Sequence, residues 1–420
     1  MPLMSSSQRA QSIFSLAVIV ASLGYFVDIY DLLLFTIVRV PSLKSLGLSP
    51  DDIDNHTGLL LINVQMAGLL LGGILWGIVG DKKGRLSVLF GSILLYSIAN
   101  IANGFVSGTT GYLVWRFVAG LGLAGELGAG ITLVSEILPK EKRGYGTMIV
   151  ATVGVSGAVA ANFIYKFADH FKQVEAWRVC YFIGGALGLG LLVLRVSVLE
   201  SGMFNAIKSS DAKRGSFWAL FTDRKRFIKY LQCVLLGTPT WFVIGILMAF
   251  SNRFGVELQV QSPINPGDAV AFCYTGLVIG DFSSGYISQL WKSRRKVMLL
   301  FLILNAACVG IYLNMEGVTA TAFYTMCLVS GISVGFWAIF VTIAAESFGT
   351  NVRATVATTV PNFARGMLLA ITALFKGLQE SFSYLQSGAI VACLTIGVAL
   401  LAAYTIPETF GKDLNYTEEI

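Results

Sequence analysis

Long apolar runs recur along almost the whole chain, and they constrain its fold more than any other feature. A membrane span needs about 20 mainly apolar residues. Because lipid offers no hydrogen-bond partners, each run is predicted to be an α-helix. The expected all-α integral membrane protein has 12 transmembrane helices at 13–38, 57–80, 86–106, 110–137, 145–168, 177–199, 228–252, 268–290, 296–314, 318–346, 354–378 and 383–406.

Composition argues against a soluble or nucleic-acid-binding protein. The chain is 55% hydrophobic and 13% charged, whereas a soluble domain carries about 25% charged residues. Its net charge is +6, but the basic residues lie in short clusters between the apolar runs. They do not form the continuous basic stripe that would indicate nucleic-acid binding. The six cysteines lie in or beside apolar runs without CxxC spacing, so we expect no disulfide, metal or cofactor.

The loops predict the orientation of the chain. An even number of spans places both termini on one side of the membrane. If that side is cytoplasmic, the inner segments carry about 20 Lys and Arg and the outer segments about 6, which fits the positive-inside rule. We therefore expect a multi-pass plasma-membrane protein, in a bacterium the inner membrane, with cytoplasmic termini. The basic cluster between helices six and seven is interpreted as a topology signal that contacts anionic lipid.

Charged landmarks repeat at a nearly constant offset. Glu136 precedes Arg143 by seven residues at the inner end of helix four. Glu346 precedes Arg353 by the same spacing, 210 positions later. Glu408 follows Glu200 by 208, at the ends of helices twelve and six.

This repeat predicts two pseudo-symmetric six-helix bundles that rock about a site near the bilayer midplane. The expected domains are 1–205, a cytoplasmic linker at 206–227, and 228–420.

Several motifs add a family resemblance. Residues 77–85 read Gly-Ile-Val-Gly-Asp-Lys-Lys-Gly-Arg, and residues 113–120 read Leu-Val-Trp-Arg-Phe-Val-Ala-Gly. They resemble signature motifs of the major facilitator superfamily, and segments at 135–144, 200–201 and 407–412 resemble its sugar-porter and metabolite–proton symporter branches. The resemblance implies an inner charged latch between the halves, although the same charges could simply snorkel at helix ends. The latch candidates are Asp81, Arg85, Glu136, Arg143, Glu200, Glu346, Arg353 and Glu408.

Two acids in helix one are candidates for proton coupling. Asp28 and Asp31 lie three residues apart on one helix face. Two carboxylates this close in a low dielectric cannot both ionise easily, which favours proton binding over the alternative of a structural pair neutralised by arginine. The resemblance implies that Arg116 in helix four is the counter-charge of Asp31. Glu126 is either a second acid or a packing residue held by a hydrogen bond.

Arg365, in the middle of helix eleven, is the preferred substrate ligand. A buried guanidinium can hold a carboxylate bidentately, although an ion pair with Asp281 in helix eight is the structural alternative. Helix seven resembles that of phosphate–proton symporters, but Gly245 and Ala249 stand where those carriers have an aspartate and a tyrosine. The other candidate substrate contacts are Trp241, Tyr30, Asn362, Trp337, Asp281 and Tyr274.

The sequence therefore predicts a secondary transporter, not an enzyme, that imports a small organic anion with protons. Its partners would be the solute, the proton and the lipid bilayer, and we expect a monomer driven by the proton gradient. The alternatives are a carrier of a zwitterion such as a betaine or amino acid, a phosphate carrier, an exporter, and a non-transporting receptor with the carrier fold.

Overall fold

The computed structural model describes residues 12–49, 52–168, 170, 175–197 and 215–419, and the long elements within these ranges are helices. We number the long helices in chain order, counting an interrupted helix once. They are α1 Leu16–Ser45, α2 Thr57–Lys83, α3 Arg85–Gly104, α4 Thr109–Ile137, α5 Arg143–Ala168, α6 Ala176–Leu194, α7 Arg224–Met248, α8 Pro266–Leu290, α9 Arg294–Tyr312, α10 Ala320–Ser347, α11 Arg353–Leu378 and α12 Tyr384–Thr405.

These helices confirm the predicted membrane fold. In the described part of the chain, 10 helices are long and apolar enough to cross a membrane. The two long helices outside that set, α8 and α11, have 25 and 26 residues, which gives each a length of about 37–39 Å at 1.5 Å per residue. Helix α1 continues to Ser45 through Pro41, beyond its expected end at 38. The predicted linker at 206–227 lies partly outside the described residues, and α7 begins within it, at Arg224.

Four of the long helices are interrupted near their middles. Helix α4 breaks between Leu123 and Glu126, and α5 breaks at Ser156. Helix α7 is interrupted at Gly237, and its last turns, Val243–Met248, are π-helical. Helix α10 breaks between its segments Ala320–Ser333 and Trp337–Ser347. Interruptions free backbone groups in the bundle interior, where side chains can bind them.

The helices pack with the same pattern in both halves. Helix α2 packs on α4 and α3 on α6, while α8 packs on α10 and α9 on α12. The halves meet where α2 packs against α11 and where α5 packs against α8. This arrangement is the pseudo-symmetry that the sequence repeat predicted.

Glycines bring the paired backbones close together. A Cβ at Gly120 would overlap the carbonyl oxygen of Gln65 on α2. At the corresponding place in the second half, a Cβ at Gly331 would overlap the carbonyl oxygen of Cys273 on α8. Small residues at such crossings allow helix backbones to approach closely in membranes.

A Gly120→Ala substitution tests this packing. We expect it to lower the thermal stability of the purified protein, because overpacking a tight contact costs about 1–3 kcal/mol. The matched control is Gly310→Ala on α9, where no atom lies within 4 Å of the added Cβ. Melting temperatures in the same detergent give the comparison. Equal melting temperatures for the two variants would contradict a backbone contact at Gly120.

Candidate transport site and charged latch

Asp81 joins the two halves at one end of the bundle. Its carboxylate, at the end of α2, accepts hydrogen bonds from the backbone N–H groups of Ala354 (2.9 Å) and Thr355 (2.8 Å). These N–H groups belong to the first turn of α11, whose other N–H groups and helix dipole also favour an anion. Asp81 is fully buried. An acid from the first half therefore caps a helix of the second.

Glu136 forms the ionic centre of the same end. Arg85, from its own half, donates to it at 2.8 Å, and Arg353, from the other half, donates at 2.9 Å. Arg85 also reaches the carbonyl oxygen of Thr350, 3.0 Å away in the other half. All three charged groups are buried, so the loss of any one would leave a buried charge unpaired.

A second ionic centre mirrors the first. Glu346 lies 3.5 Å from Arg294 of its own half and 4.0 Å from Arg143 of the other half. Arg294 was not among the predicted latch residues, although it stands 209 positions after Arg85 and the repeat could have identified it. Each glutamate thus takes one arginine from each half.

The helix cap that Asp81 forms has a counterpart in which Gln289 of the second half caps α5 of the first half. With its amide oxygen turned toward the start of α5, Gln289 accepts from the backbone N–H groups of Gly144 (2.9 Å) and Tyr145 (3.2 Å). Gln289 stands 208 positions after Asp81. The amide carries no charge, so this copy of the cap is electrostatically weaker.

Glu408 has a local role at this end. It accepts hydrogen bonds from the backbone N–H of Arg294 and of Thr409, both at 2.9 Å, and from the Ser293 hydroxyl. Burial alone would raise the pKa of Glu408, but these and neighbouring hydrogen bonds outweigh it and lower the pKa. Glu408 therefore caps α9 within its own half. The prediction that it bridges the two halves is wrong. Glu200, the remaining predicted latch residue, lies outside the described residues.

The interruptions of α7 and α10 bring two tryptophans together in the second half. Trp241 follows the break of α7 and Trp337 opens the second segment of α10. Their ring centroids lie 6.1 Å apart in an edge-on arrangement. The carboxylate of Asp281 caps the broken α10 by accepting from the Ala338 N–H at 3.0 Å. Asp281 forms no ion pair with Arg365 in the described structure, so the geometry does not support the structural alternative for Arg365.

Arg365 lies beside these rings with most of its donors unused. Its guanidinium carbon is 5.9 Å from the Trp241 centroid and 5.8 Å from that of Trp337. Within the described chain its one protein hydrogen bond joins Nη1 to Asn362 Oδ1 at 3.3 Å. The Arg365 Nε and both indole Nε1 groups are buried without a protein acceptor.

Asn362 fixes the position of this group relative to the first half. Its amide nitrogen donates to the carbonyl oxygen of Ala124 (3.1 Å), in the break of α4, and to that of Thr358 (2.8 Å). Its oxygen is thereby directed to Arg365. An interruption in one half thus anchors the arginine of the other.

Asp28 faces this centre from α1. Its two carboxylate oxygens are buried and have no hydrogen-bond partner in the described structure. Among the charges that act on it, Arg365 is the strongest, followed by Glu126 and Asp31. Tyr274 of α8 is also buried, and the charge of Arg365 acts on it. The structure therefore brings a partnerless acid of the first half toward an arginine of the second.

Tyr30 lies away from this centre. Its hydroxyl donates to the carbonyl oxygen of Cys180 on α6 at 2.9 Å. The ring packs in a separate apolar cluster with Leu34 and Phe35. The predicted substrate contact is wrong, because the side chain points into the first bundle.

Asp31 and Arg116 are neighbours inside the first bundle but not an ion pair. Arg116 donates to Gln65 and, at 3.5 Å, to the Tyr181 hydroxyl, and its guanidinium lies 4.8 Å from the centroid of Phe35. Both Asp31 oxygens are buried without a hydrogen-bond partner in the part of the chain described. Arg116 still acts electrostatically on Asp31. The expected ion pair between Asp31 and Arg116 is therefore wrong, and the two residues interact electrostatically at a longer distance.

Glu126 is held in a buried ion pair that the sequence analysis missed. Arg195, just beyond α6, donates to it at 2.6 and 3.0 Å, and the Ser92 hydroxyl donates at 2.6 Å. Arg195 falls within the predicted span 177–199, where a charge is a functional candidate by default. Of the two interpretations of Glu126, the geometry favours a residue fixed by hydrogen bonds.

Across the described ranges, twelve long helices form two matched halves, and polar groups converge between the broken helices; this arrangement defines a polytopic membrane carrier. Residues 14–371 match the sequence profile of the Major Facilitator Superfamily, and the chain belongs to that superfamily. It is a secondary transporter, not an enzyme, as predicted.

Named relatives agree with this class. The chain is 26% identical over 413 residues to a protein of Bacillus subtilis named for niacin and nicotinamide transport, covering 95% of this chain and 96% of the relative. It is 26% identical to the niacin transporter NiaP of Acinetobacter baylyi, covering 80% of each. The solved proton:xylose symporter XylE superposes with a TM-score of 0.75 at 15% identity, covering 96% of this chain and 98% of XylE. The last similarity concerns the fold alone.

Replacement of Asp81 by alanine tests the latch. We expect this end of the bundle to open more often, because hydrogen bonds to a charged group contribute about 1.5–3 kcal/mol. The readout is the maleimide labelling rate of a cysteine introduced at Thr358, which is buried between the halves, in a chain whose native cysteines are replaced.

The control for this experiment is Glu175→Gln. It removes a partly exposed ion pair at the start of α6, in which Glu175 lies 2.6 Å from Arg178. We expect the labelling rate at position 358 to rise about ten-fold or more in Asp81→Ala, because the closed end loses about 1.4 kcal/mol or more of stabilisation. The rate should stay unchanged in the control. The same rate in both variants would remove the latch role of Asp81.

Proposed function

We propose that this transporter carries a small organic anion, a carboxylate, into the cytoplasm together with protons. The observation that carries the proposal is the state of Arg365. It is nine-tenths or more buried, forms no ion pair in the described structure, and keeps its Nε free beside two free indole N–H groups. A buried cation without a counter-charge is costly, and a bound carboxylate would supply both the charge and the acceptors.

The surroundings of Arg365 favour a flat or partly apolar carboxylate. Trp241 and Trp337 offer ring surface beside the guanidinium, so an aromatic or unsaturated acid could stack while its carboxylate binds. The named relatives point the same way, since niacin is an aromatic carboxylate. Phosphate would leave these rings without a partner.

Proton coupling is assigned to the acids of α1. Asp31 is buried close to Arg116 but has no direct partner, so its charge state can change without breaking a hydrogen bond of the protein. Protonation would release the attraction between Asp31 and Arg116 and change the charge inside the first bundle. The closed latch end is assigned to the cytoplasmic side by the distribution of Lys and Arg. With that end closed, the solute would enter from outside.

A zwitterion is the second candidate, and Asp28 is the observation that favours it. An acid without a partner faces Arg365 from the other half. A solute with a cationic group could therefore join Asp28 to Arg365 and draw the halves together. A simple carboxylate would instead require Asp28 to be protonated.

Purified protein in liposomes that enclose a pH-sensitive dye tests the proposal. Niacin, benzoate, betaine, an amino acid and phosphate are added one at a time from outside. We expect lumen acidification with a carboxylate and none with phosphate. Acidification with betaine alone would establish the second candidate, and a lack of acidification with every solute would contradict proton symport.

Variants of Arg365 make the same assay specific for the site. Arg365→Lys keeps the charge but loses the bidentate geometry, so we expect the KM for the carboxylate to rise about ten-fold or more, as the loss of roughly 1.5–3 kcal/mol implies. Arg365→Ala should abolish uptake. Arg253→Ala, at an exposed arginine before α8, is the control and should behave as wild type. Wild-type kinetics in Arg365→Lys would exclude bidentate binding.

A further inference from the structure

Residues 412–418 follow α12 without helical structure and lie against the latch end of the bundle. Inward and outward side chains alternate along this segment. Leu414 is fully buried, Tyr416 and Glu418 are partly buried, and the residues between them are exposed. A period of two is typical of an extended chain that lays one face on the protein. We call residues 412–418 the strap.

The strap is bound to the loop at 348–352, which joins α10 to α11. The backbone N–H of Thr350 donates to the Tyr416 carbonyl oxygen at 2.8 Å, and the Thr350 hydroxyl donates to that of Leu414 at 3.1 Å. The Glu418 N–H donates to Asn351 Oδ1 at 2.8 Å, and Asn351 Nδ2 donates to the Glu418 carbonyl oxygen at 2.9 Å. Thr350 and Asn351 are buried, so the strap supplies partners that these polar groups need.

Two carbonyl groups of the strap also reach the arginines that link the halves. Arg353, from the first ionic centre, donates to the Leu414 carbonyl oxygen at 2.5 Å. Arg143, from the second ionic centre, donates to the Lys412 carbonyl oxygen at 3.3 Å. A guanidinium group has five N–H donors, more than one carboxylate accepts. The strap therefore accepts from the arginine of each centre that crosses between the halves.

Glu418 ties the far part of the strap to the start of α7. Its carboxylate lies 3.2 Å from Lys229 Nζ and 3.8 Å from Arg226 Nε, and it accepts from the Gly349 N–H at 3.3 Å. These groups all belong to the second half, so the strap moves with that half. Arg143, in contrast, belongs to the first half. Opening of the latch end must therefore separate Arg143 from the strap.

We propose that the strap is a conformational clamp, which stabilises the closed latch end and releases Arg143 whenever that end opens. It works through the arginines, because the carbonyl groups of Leu414 and Lys412 hold the two guanidinium groups in directions that favour pairing with Glu136 and Glu346. Residues outside the membrane-spanning helices thus set how often this end opens. The inference concerns the latch and does not depend on the solute or on proton coupling.

A strap that only completes the fold of the second half is the simpler alternative. It would stabilise the loop at 348–352 without affecting the contact between the halves. The two roles differ in where loosening is detected. Loss of a clamp exposes residues between the halves, such as Thr358, whereas loss of a fold contact also loosens the interior of the second half, where Cys327 is buried.

Glu418→Lys and Leu414→Asp displace the strap in two different ways. The first places a cation beside Lys229 and Arg226, and the second places a charge at a buried apolar position. The readout is the maleimide labelling rate of the cysteine introduced at position 358 and, in a second chain, of Cys327 as the sole cysteine. We expect labelling at 358 to rise about three-fold or more in both variants, within the range of a partly exposed ion pair. Labelling of Cys327 should stay unchanged.

Glu175→Lys is the matched control, since it also reverses one partner of a partly exposed ion pair, in this case with Arg178 of the first half. Its labelling rate at 358 should equal that of wild type. Wild-type labelling at 358 in both strap variants, or an equal rise at 358 and at Cys327, would overturn the clamp. If Asp81→Ala raises labelling at 358 in the same experiment, such a result removes the clamp alone. If Asp81→Ala also leaves the rate unchanged, the latch and the clamp are both overturned.

Discussion

The capping of α11 by Asp81 is the interaction on which the arrangement of the two halves depends. It takes the unpaired N–H groups at the start of one half's helix and satisfies them with a carboxylate of the other half. Glu136 adds a buried ionic bond to Arg353 beside it. Both contacts are directional and lie at one end of the bundle. These contacts hold the two halves together at that end, as a latch that closes it.

The central site depends on the interrupted helices. Breaks in α7 and α10 place Trp241 and Trp337 edge to face, and Asp281 satisfies the backbone that the second break exposes. The break in α4 offers the Ala124 carbonyl to Asn362, which orients Arg365. Because the breaks in α10 and α4 are each bound by a side chain of another helix, we expect the proposed site to be ordered before a solute binds. Its free donors are then fixed in direction, which reduces the entropy that binding must cost.

The fold was predictable to a large extent because span length and apolar content are local properties. The offset of 208–210 also predicted the halves and most charged groups at the latch end. Side-chain directions in the bundle were not predictable in this way. The position of Tyr30 in the middle of α1 could not show that its hydroxyl donates to the Cys180 carbonyl oxygen of α6, because that partner lies 150 residues further along the chain. Arg195 was missed, and Asp281 and Glu408 were misjudged, because their partners lie in other helices or at helix ends.

The two acids of α1 show why spacing alone was an incomplete guide. Asp28 and Asp31 were predicted to act on one another, yet each also experiences the charge of an arginine, Arg365 for Asp28 and Arg116 for Asp31. One turn of α1 therefore carries two acids with different surroundings. Asp28 faces the proposed solute site, and Asp31 faces the interior of the first bundle. Movement of α1 changes both environments together. Under the proposed function, binding of an anion at Arg365 would weaken the field on Asp28, and through the shared helix it would couple solute binding to the protonation of Asp31 without direct contact between the solute and Asp31.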